Sequence, residues 1–357
     1  MTINKDRNME IDIAKGIGIV LVLLGHILNS FQAGLPMLFI YTFHMPLFFI
    51  VSGLVEKEQS SISFKGVIKK TCKILSSYIF WSIIFLIFDI VFRLFLLHKY
   101  TVNSIFVEFV ASITFYGINV LWFLATMFIT KFCYYLLRMK LSKKVVLIVS
   151  IFIYPLSIIL ANRISYNQQS HSIYSFYVIE AIARAMCVLP FFTIGVYFKD
   201  IFLDLKKIIF AKRIRLVYIS LVAIVLFSIN WLLSSLCGNV DIHNMQFDNP
   251  ILMPFLALSG SLGVLLVSLV LINLKGLNNV LVFYGTNSLF IMATHEWLYV
   301  KEFSIWLSQK IFSKAQVSSS LLILLILESI LILLFSKVCD KMILNIKKII
   351  LNVFRIV

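Results

Sequence analysis

Ten apolar runs of about 20 residues, separated by short polar connections, constrain this chain more than any other feature. A helix of that length crosses the roughly 30 Å hydrocarbon core of a bilayer with its backbone hydrogen bonds satisfied internally. The runs cover about 13–31, 37–55, 74–97, 118–137, 145–161, 177–198, 216–236, 251–273, 281–300 and 319–337. Composition agrees: 61% of the 357 residues are hydrophobic and 13% charged, against roughly 25% charged in a soluble domain. The expected fold class is an all-α polytopic membrane protein with about ten transmembrane helices. No repeat or low-complexity linker divides the chain, so residues 1–357 are expected to form a single membrane-embedded domain. The first run is too long for the core of a cleavable signal and no A-x-A site follows it, so it is expected to remain as a helix.

The net charge of +16 would raise the question of nucleic acid in a soluble protein. Here the basic residues crowd alternate connections, where orientation bias explains them, and no nucleic-acid partner is expected. Lys5 and Arg7 precede the first span, and Lys57, Lys65, Lys69, Lys70 and Lys73 follow the second. Arg138, Lys140, Lys143 and Lys144 follow the fourth, six residues from Lys199 to Arg215 follow the sixth, Lys275 follows the eighth, and five close the chain. That side carries 23 Lys and Arg, the other side 5. Both termini are therefore expected in the cytoplasm. The five cysteines (Cys72, Cys133, Cys187, Cys237, Cys339) have neither paired nor metal-ligand spacing, so neither a disulfide framework nor a metal is expected.

Topology gives each polar residue inside a span a depth. Lys15 and His26 are eleven residues apart in the first run. That is almost three helical turns, so they share one face while the rise separates them by roughly 16 Å. His26, His44 and His295 all fall roughly 8–11 Å below the outer boundary, whereas His98, His171 and His243 fall in outer loops. Ionisable groups in a spanning helix are costly and mark a pathway or a reaction; a histidine hydrogen-bonded to a neighbouring helix is the plainer alternative. Asp89 with Arg93, and Glu180 with Arg184, have i, i+4 spacing, which suits structural ion pairs or a lined cavity. Glu328 lies near mid-membrane without a partner in its own helix. Glu296 follows His295 directly, and on a continuous helix the two point about 100° apart, so they cannot both face one site squarely. Pro46 predicts a kink close to His44. Trp122 opens the fourth span and suits either an interfacial belt or a cavity wall. Asn287 and Ser288 lie deeper than His295, where small polar residues serve as helix-packing contacts.

The runs I-D-I-A-K-G-I-G-I-V-L-V-L-L-G-H (11–26), F-H-M-P-L-F-F-I-V-S-G (43–53), L-W-F-L (121–124), L-P-F-F-T-I-G (189–195) and Y-G-T-N-S-L-F-I-M-A-T-H (284–295) occur in that order over most of the chain. Together they resemble the acyltransferase-3 family of bacterial integral-membrane O-acyltransferases, in particular its fucose 4-O-acetylase-like branch. The family's signature is a basic residue, ten intervening residues, then histidine, and it falls on Lys15 and His26. The resemblance implies ten helices in the bacterial cytoplasmic (inner) membrane, with both ends cytoplasmic. It also implies transfer of an acyl group, usually acetyl from acetyl-CoA, to a sugar hydroxyl of O-antigen, capsule or another exopolysaccharide, free or lipid-linked. No bound cofactor is implied; acyl-CoA is a co-substrate. The family often has arginines after the second helix, where this chain has Lys69, Lys70 and Lys73. Lysine binds phosphate as a point charge without arginine's bidentate fork.

Acyl transfer from a thioester to an alcohol needs a base for the hydroxyl proton, and a histidine suits that task. His26 is the expected general base, with an acyl-histidine nucleophile as the alternative. Asp12, Lys15, His44 and His295 are candidates for supporting it. Lys15, Lys69, Lys70 and Lys73 are candidates for donor phosphates, with Lys15 also able simply to balance Asp12. Trp122, Glu180, Arg184 and Glu328 are candidates for lining the cavity. A polytopic transporter of a polysaccharide or lipid-linked sugar is the rival, although such folds show repeat symmetry that this chain lacks. A membrane sensor would need no acyl-CoA.

Overall fold

The computed structural model describes residues 8–57, 62–96, 101–166, 173–211, 215–274, 276–296, 298–312 and 314–355. Lys5, Arg7, His98, His171 and Lys275 lie outside these residues. The first span is α1 (Met9–Ser30), and the second is α2 (Leu35–Tyr41) with α3 (His44–Leu54). The third is α4 (Phe64–Phe88), which runs on into a π-helical segment, Asp89–Leu96. A short apolar helix, α5 (Val102–Ile113), precedes α6 (Trp122–Arg138), α7 (Lys143–Tyr166) and α8 (Ile173–Tyr197). The basic connection that follows is helical, α9 (Lys199–Ala211). A two-stranded antiparallel hairpin, β1 (Val240–Asp241) and β2 (Gln246–Phe247), joins α10 (Arg215–Cys237) to α11 (Met253–Leu271). The chain ends with α12 (Leu277–Thr286), α13 (Ser288–Thr294), α14 (Val300–Phe312) and α15 (Val317–Val353).

Among the described residues, nine helical stretches are long and apolar enough to cross a membrane. The protein is an all-α polytopic membrane protein. The expected span 281–300 is not among the nine: α12 ends at Thr286, Asn287 leaves helical geometry at φ −103° and ψ 12°, and α13 lasts only to Thr294. Asn287 fits this joint because its side-chain amide donates to the Phe283 carbonyl at 2.8 Å, replacing a lost backbone bond.

The chain divides into two compact units. One contains Met1–Glu56, Ile194–Ile242 and Gln246–Ile332, and α1 is its axis. Ile13, Ala14, Ile19, Leu23 and Ile27 of α1 are wholly buried. Glycines bring backbones together here: a Cβ on Gly16 would overlap the Leu281 carbonyl of α12, and one on Gly285 would overlap the Asp12 carbonyl. Close helix approach through small residues is the ordinary means of packing in lipid, where no hydrophobic force separates helix from tail. The second span breaks between Tyr41 and His44, as the proline predicted. Pro46 is the third residue of α3, a first-turn position where a backbone N–H has no intrahelical acceptor to lose. The break is held by Thr42, whose hydroxyl donates to Asn230 Oδ1 at 3.0 Å while Asn230 Nδ2 donates to the Leu256 carbonyl at 2.7 Å. These buried bonds join the turn to α10 and α11.

The other unit contains Lys57–Thr193, His243–Met245 and Leu333–Val357, with α4 packed on α6. Tyr78 Oη donates to the Ser112 carbonyl at 2.7 Å, and Ser150 meets Thr193 at 2.7 Å. Asp89 and Arg93 form the expected pair, Nε to Oδ1 3.1 Å, inside the π-helical segment. Outward-facing Ile87, Phe92, Phe95, Ile151 and Phe152 are exposed, as lipid-facing residues should be.

Candidate functional site

His26 lies in the last turn and a half of α1, whose closing Ser30 hydroxyl donates back to the His26 carbonyl at 3.0 Å. Its ring stands 5.0 Å from that of His295, tilted by 53°. His295 caps α13 and is wholly buried. Its Nδ1 lies 2.9 Å from the Ile291 carbonyl, and a carbonyl only accepts, so the proton sits on Nδ1 and Nε2 carries the lone pair.

Glu296 joins these two, contrary to the expectation that adjacent residues on a helix diverge. Its Oε1 is 3.5 Å from His26 Nδ1. The helix has ended at Thr294, so the 100° rule no longer applies. The chain then turns through Tyr299 at φ 58°, and Lys301 N–H closes the turn on the His295 carbonyl at 2.9 Å. This return brings Lys301 Nζ to 2.9 Å from Glu296 Oε1 and 3.2 Å from Glu302 Oε1. Lys301 is 9% exposed. The sequence treated it as one charge of an outer loop and missed it. Only a lysine five residues after a glutamate beside a histidine hinted at it.

The ligand-capable atoms of His26, His295 and Glu296 lie within 4.8 Å of one another, which is the donor set of a cation site. Lys301 already supplies positive charge at Glu296, so the group reads as a proton-handling cluster. The His26 and Glu296 side chains are 26% and 24% exposed, which leaves both accessible while His295 is enclosed.

His44 heads α3, with Nδ1 2.9 Å from the Ile40 carbonyl and its ring 5.0 Å from Tyr41. Glu328 finds its partner outside its own helix: Oε2 lies 2.8 Å from the hydroxyl of Thr294, the residue before His295. Asp12 and Lys15 do not join this cluster. They face each other at 3.9 Å at the opposite end of α1, beside a buried Glu10 that pairs with Lys206 at 2.7 Å.

The remaining candidates lie in the unit built around α4 and α6. Lys69 and Lys73 are exposed, and Lys70 donates to the Lys57 carbonyl at 2.6 Å and lies over the Tyr135 ring. Trp122 stacks on His243 at 5.3 Å, a partner that sequence placed in a loop without a role. Arg184 is wholly buried, its guanidinium 4.7 Å above Tyr116 and 5.8 Å from Trp122. Its Nη2 donates to the Tyr116 carbonyl at 2.8 Å, and its Nε lies 3.5 Å from the backbone carbonyl of Glu180. Arg184 therefore clamps the turn before α6, in which Phe115, Gly117 and Asn119 all have positive φ.

A family model described as an acyltransferase domain, Acyl_transf_3, matches residues 8–338. No protein of curated function and no solved structure matches the chain.

Proposed function

The chain belongs to the acyltransferase-3 family, and from that premise we propose that this membrane acyltransferase moves acetyl from acetyl-CoA to a sugar hydroxyl. The acceptor is a cell-surface polysaccharide or its lipid-linked precursor, and the setting is the bacterial inner membrane. The observation that carries the reading is His26 Nδ1 at 3.5 Å from a glutamate that is itself held by Lys301.

Glu296 orients His26 with its proton on Nδ1 and leaves Nε2 as the base. As the acceptor's oxygen attacks the thioester carbonyl, its proton passes to Nε2 and a tetrahedral oxyanion forms. Collapse breaks the C–S bond, and the departing thiolate takes the proton from Nε2, so the ester and free CoA form with His26 neutral again. The Glu296 charge stabilises the intervening imidazolium. Lys301 keeps Glu296 in place and balances it. His44 and His295, each with Nδ1 bound to a backbone carbonyl, support the ring's surroundings. Lys15, in the unit that carries His26, offers positive charge for the donor's phosphates; Lys69, Lys70 and Lys73 of the other unit are the alternative.

The test is His26→Ala in membranes given labelled acetyl-CoA and the glycan of the source cells. Transfer should fall by about 100-fold or more, the scale of a lost general base, while the protein accumulates normally. Near-wild-type labelling would exclude His26 as the base. Absence of label on any glycan with the unaltered protein would overturn the acceptor class.

A further inference from the structure

The helix that carries Lys301 is built inside out. Val300, Lys301, Ser304 and Ser308 of α14 are buried, whereas Phe303, Trp306, Ile311 and Phe312 are 48%, 50%, 58% and 53% exposed. A helix on a soluble surface puts its apolar residues inward; this one turns small polar side chains inward and aromatic ones outward. Ser308 bonds to Ser319 at 2.6 Å, which fastens α14 to the start of α15. α15 in turn exposes Leu322, Ile326 and Ile330.

With 13 residues, α14 is roughly 20 Å long at 1.5 Å per residue, too short for a hydrocarbon core of about 30 Å. Its exposed side also carries Glu302, Gln309 and Lys310, which exclude the middle of the bilayer. Lys310 Nζ lies 5.9 Å over the Trp306 ring, and Phe303 stacks on Trp306 at 5.5 Å. Aromatic rings beside a lysine that can snorkel are the residues that settle at headgroup depth.

We propose that α14 is a membrane-interface helix: its Phe303–Trp306–Ile311 face lies in the headgroup–acyl boundary of the bilayer, and this seating holds Lys301 against Glu296. The lipid is the occupant because α14 is fastened through Ser308 to α15, a helix long and apolar enough to cross a membrane that itself exposes Leu322, Ile326 and Ile330. The second half rests on the reading of His26 and Glu296 as the catalytic pair. Lipid seating then bears on chemistry, because displacing α14 outward withdraws Lys301 from the carboxylate that orients His26.

Two measurements on the full chain in phosphatidylcholine–phosphatidylglycerol vesicles test this. The difference in tryptophan fluorescence between the unaltered protein and Trp306→Phe isolates Trp306. It should be quenched more by lipids brominated near the headgroup than by those brominated at the chain end, and be little affected by aqueous iodide. Full quenching by iodide places the helix in water, and shielding from both quenchers means that protein covers it; either overturns the proposal. In the second measurement, Phe303→Ser/Trp306→Ser should lower kcat for acetyl transfer at least about tenfold, the sensitivity expected of a displaced catalytic group, with KM for acetyl-CoA unchanged. Phe303→Leu/Trp306→Phe keeps the face apolar and should retain activity. Full activity in the serine variant overturns the coupling to Lys301. If the unaltered protein transfers no acetyl group, the catalytic reading fails, while the fluorescence result still decides where α14 lies.

Discussion

At the scale of single residues, Glu296 is the hinge of the site. It meets His26 at 3.5 Å and Lys301 at 2.9 Å through the same oxygen. Glu296→Gln retains an acceptor for the His26 N–H but removes the charge that stabilises the imidazolium. It should lower kcat by roughly 10- to 100-fold, in the range of a lost electrostatic contact, with KM for acetyl-CoA little changed. Steady-state rates in reconstituted vesicles check this, and an unchanged kcat would remove Glu296 from the mechanism. Lys301→Met should lower kcat by at least about tenfold, and Lys301→Arg should recover most of it, because a guanidinium can still bridge to the carboxylate. His26 was legible in the sequence because a histidine deep in an apolar run is costly. Glu296 was in view but misdirected, because periodicity assumes that a helix continues. The helix ends at Thr294, and nothing in W-L-Y-V signals the left-handed Tyr299 that turns the chain back after it.

At the scale of elements, the apolar runs revealed which segments are helices but not where two of them break. Hydropathy sums over a window and is blind to backbone angles, so 281–300 read as one span although Asn287 divides it. The break near His44 was foreseeable because proline is a covalent constraint. Glu328 could not be paired from sequence, since its partner Thr294 is 34 residues away on another helix. The approach of α1 to α12 makes a further prediction. Gly285→Ala puts a methyl group against the Asp12 carbonyl, and backbone cannot rotate out of the way as a side chain would. The cost should be about 1–3 kcal/mol or more, as for an overpacked core, seen as a lower midpoint of thermal unfolding in detergent. Gly66→Ala near the start of α4 is the control. Its Cβ would find only ordinary contacts with Ile62 and Ser63, and the gain in helix propensity should leave stability equal or higher. Equal midpoints for the two variants would mean that the glycine contact does not hold α1 to α12.

At the scale of the whole molecule, orientation decides how the donor reaches His26. Lys and Arg divide 23 to 5 between the two sets of connections, which predicts the N-terminus and Ser63 in the cytoplasm and the hairpin around Asn244 outside. On that prediction His26 lies toward the outer end of α1 and Lys15 toward the inner end, and the proposed donor, acetyl-CoA, would extend its pantetheine arm along α1 from the cytoplasmic side. Single-cysteine labelling with a membrane-impermeant maleimide tests this, because both positions are exposed and the five native cysteines are buried or half-buried. Asn244→Cys should react in intact cells, and Ser63→Cys only after the membrane is opened. The reverse pattern would bring His26 to the cytoplasmic side, where acetyl-CoA reaches it directly. Lys15 would then lie at the far end of the helix from the donor, with no phosphate to meet.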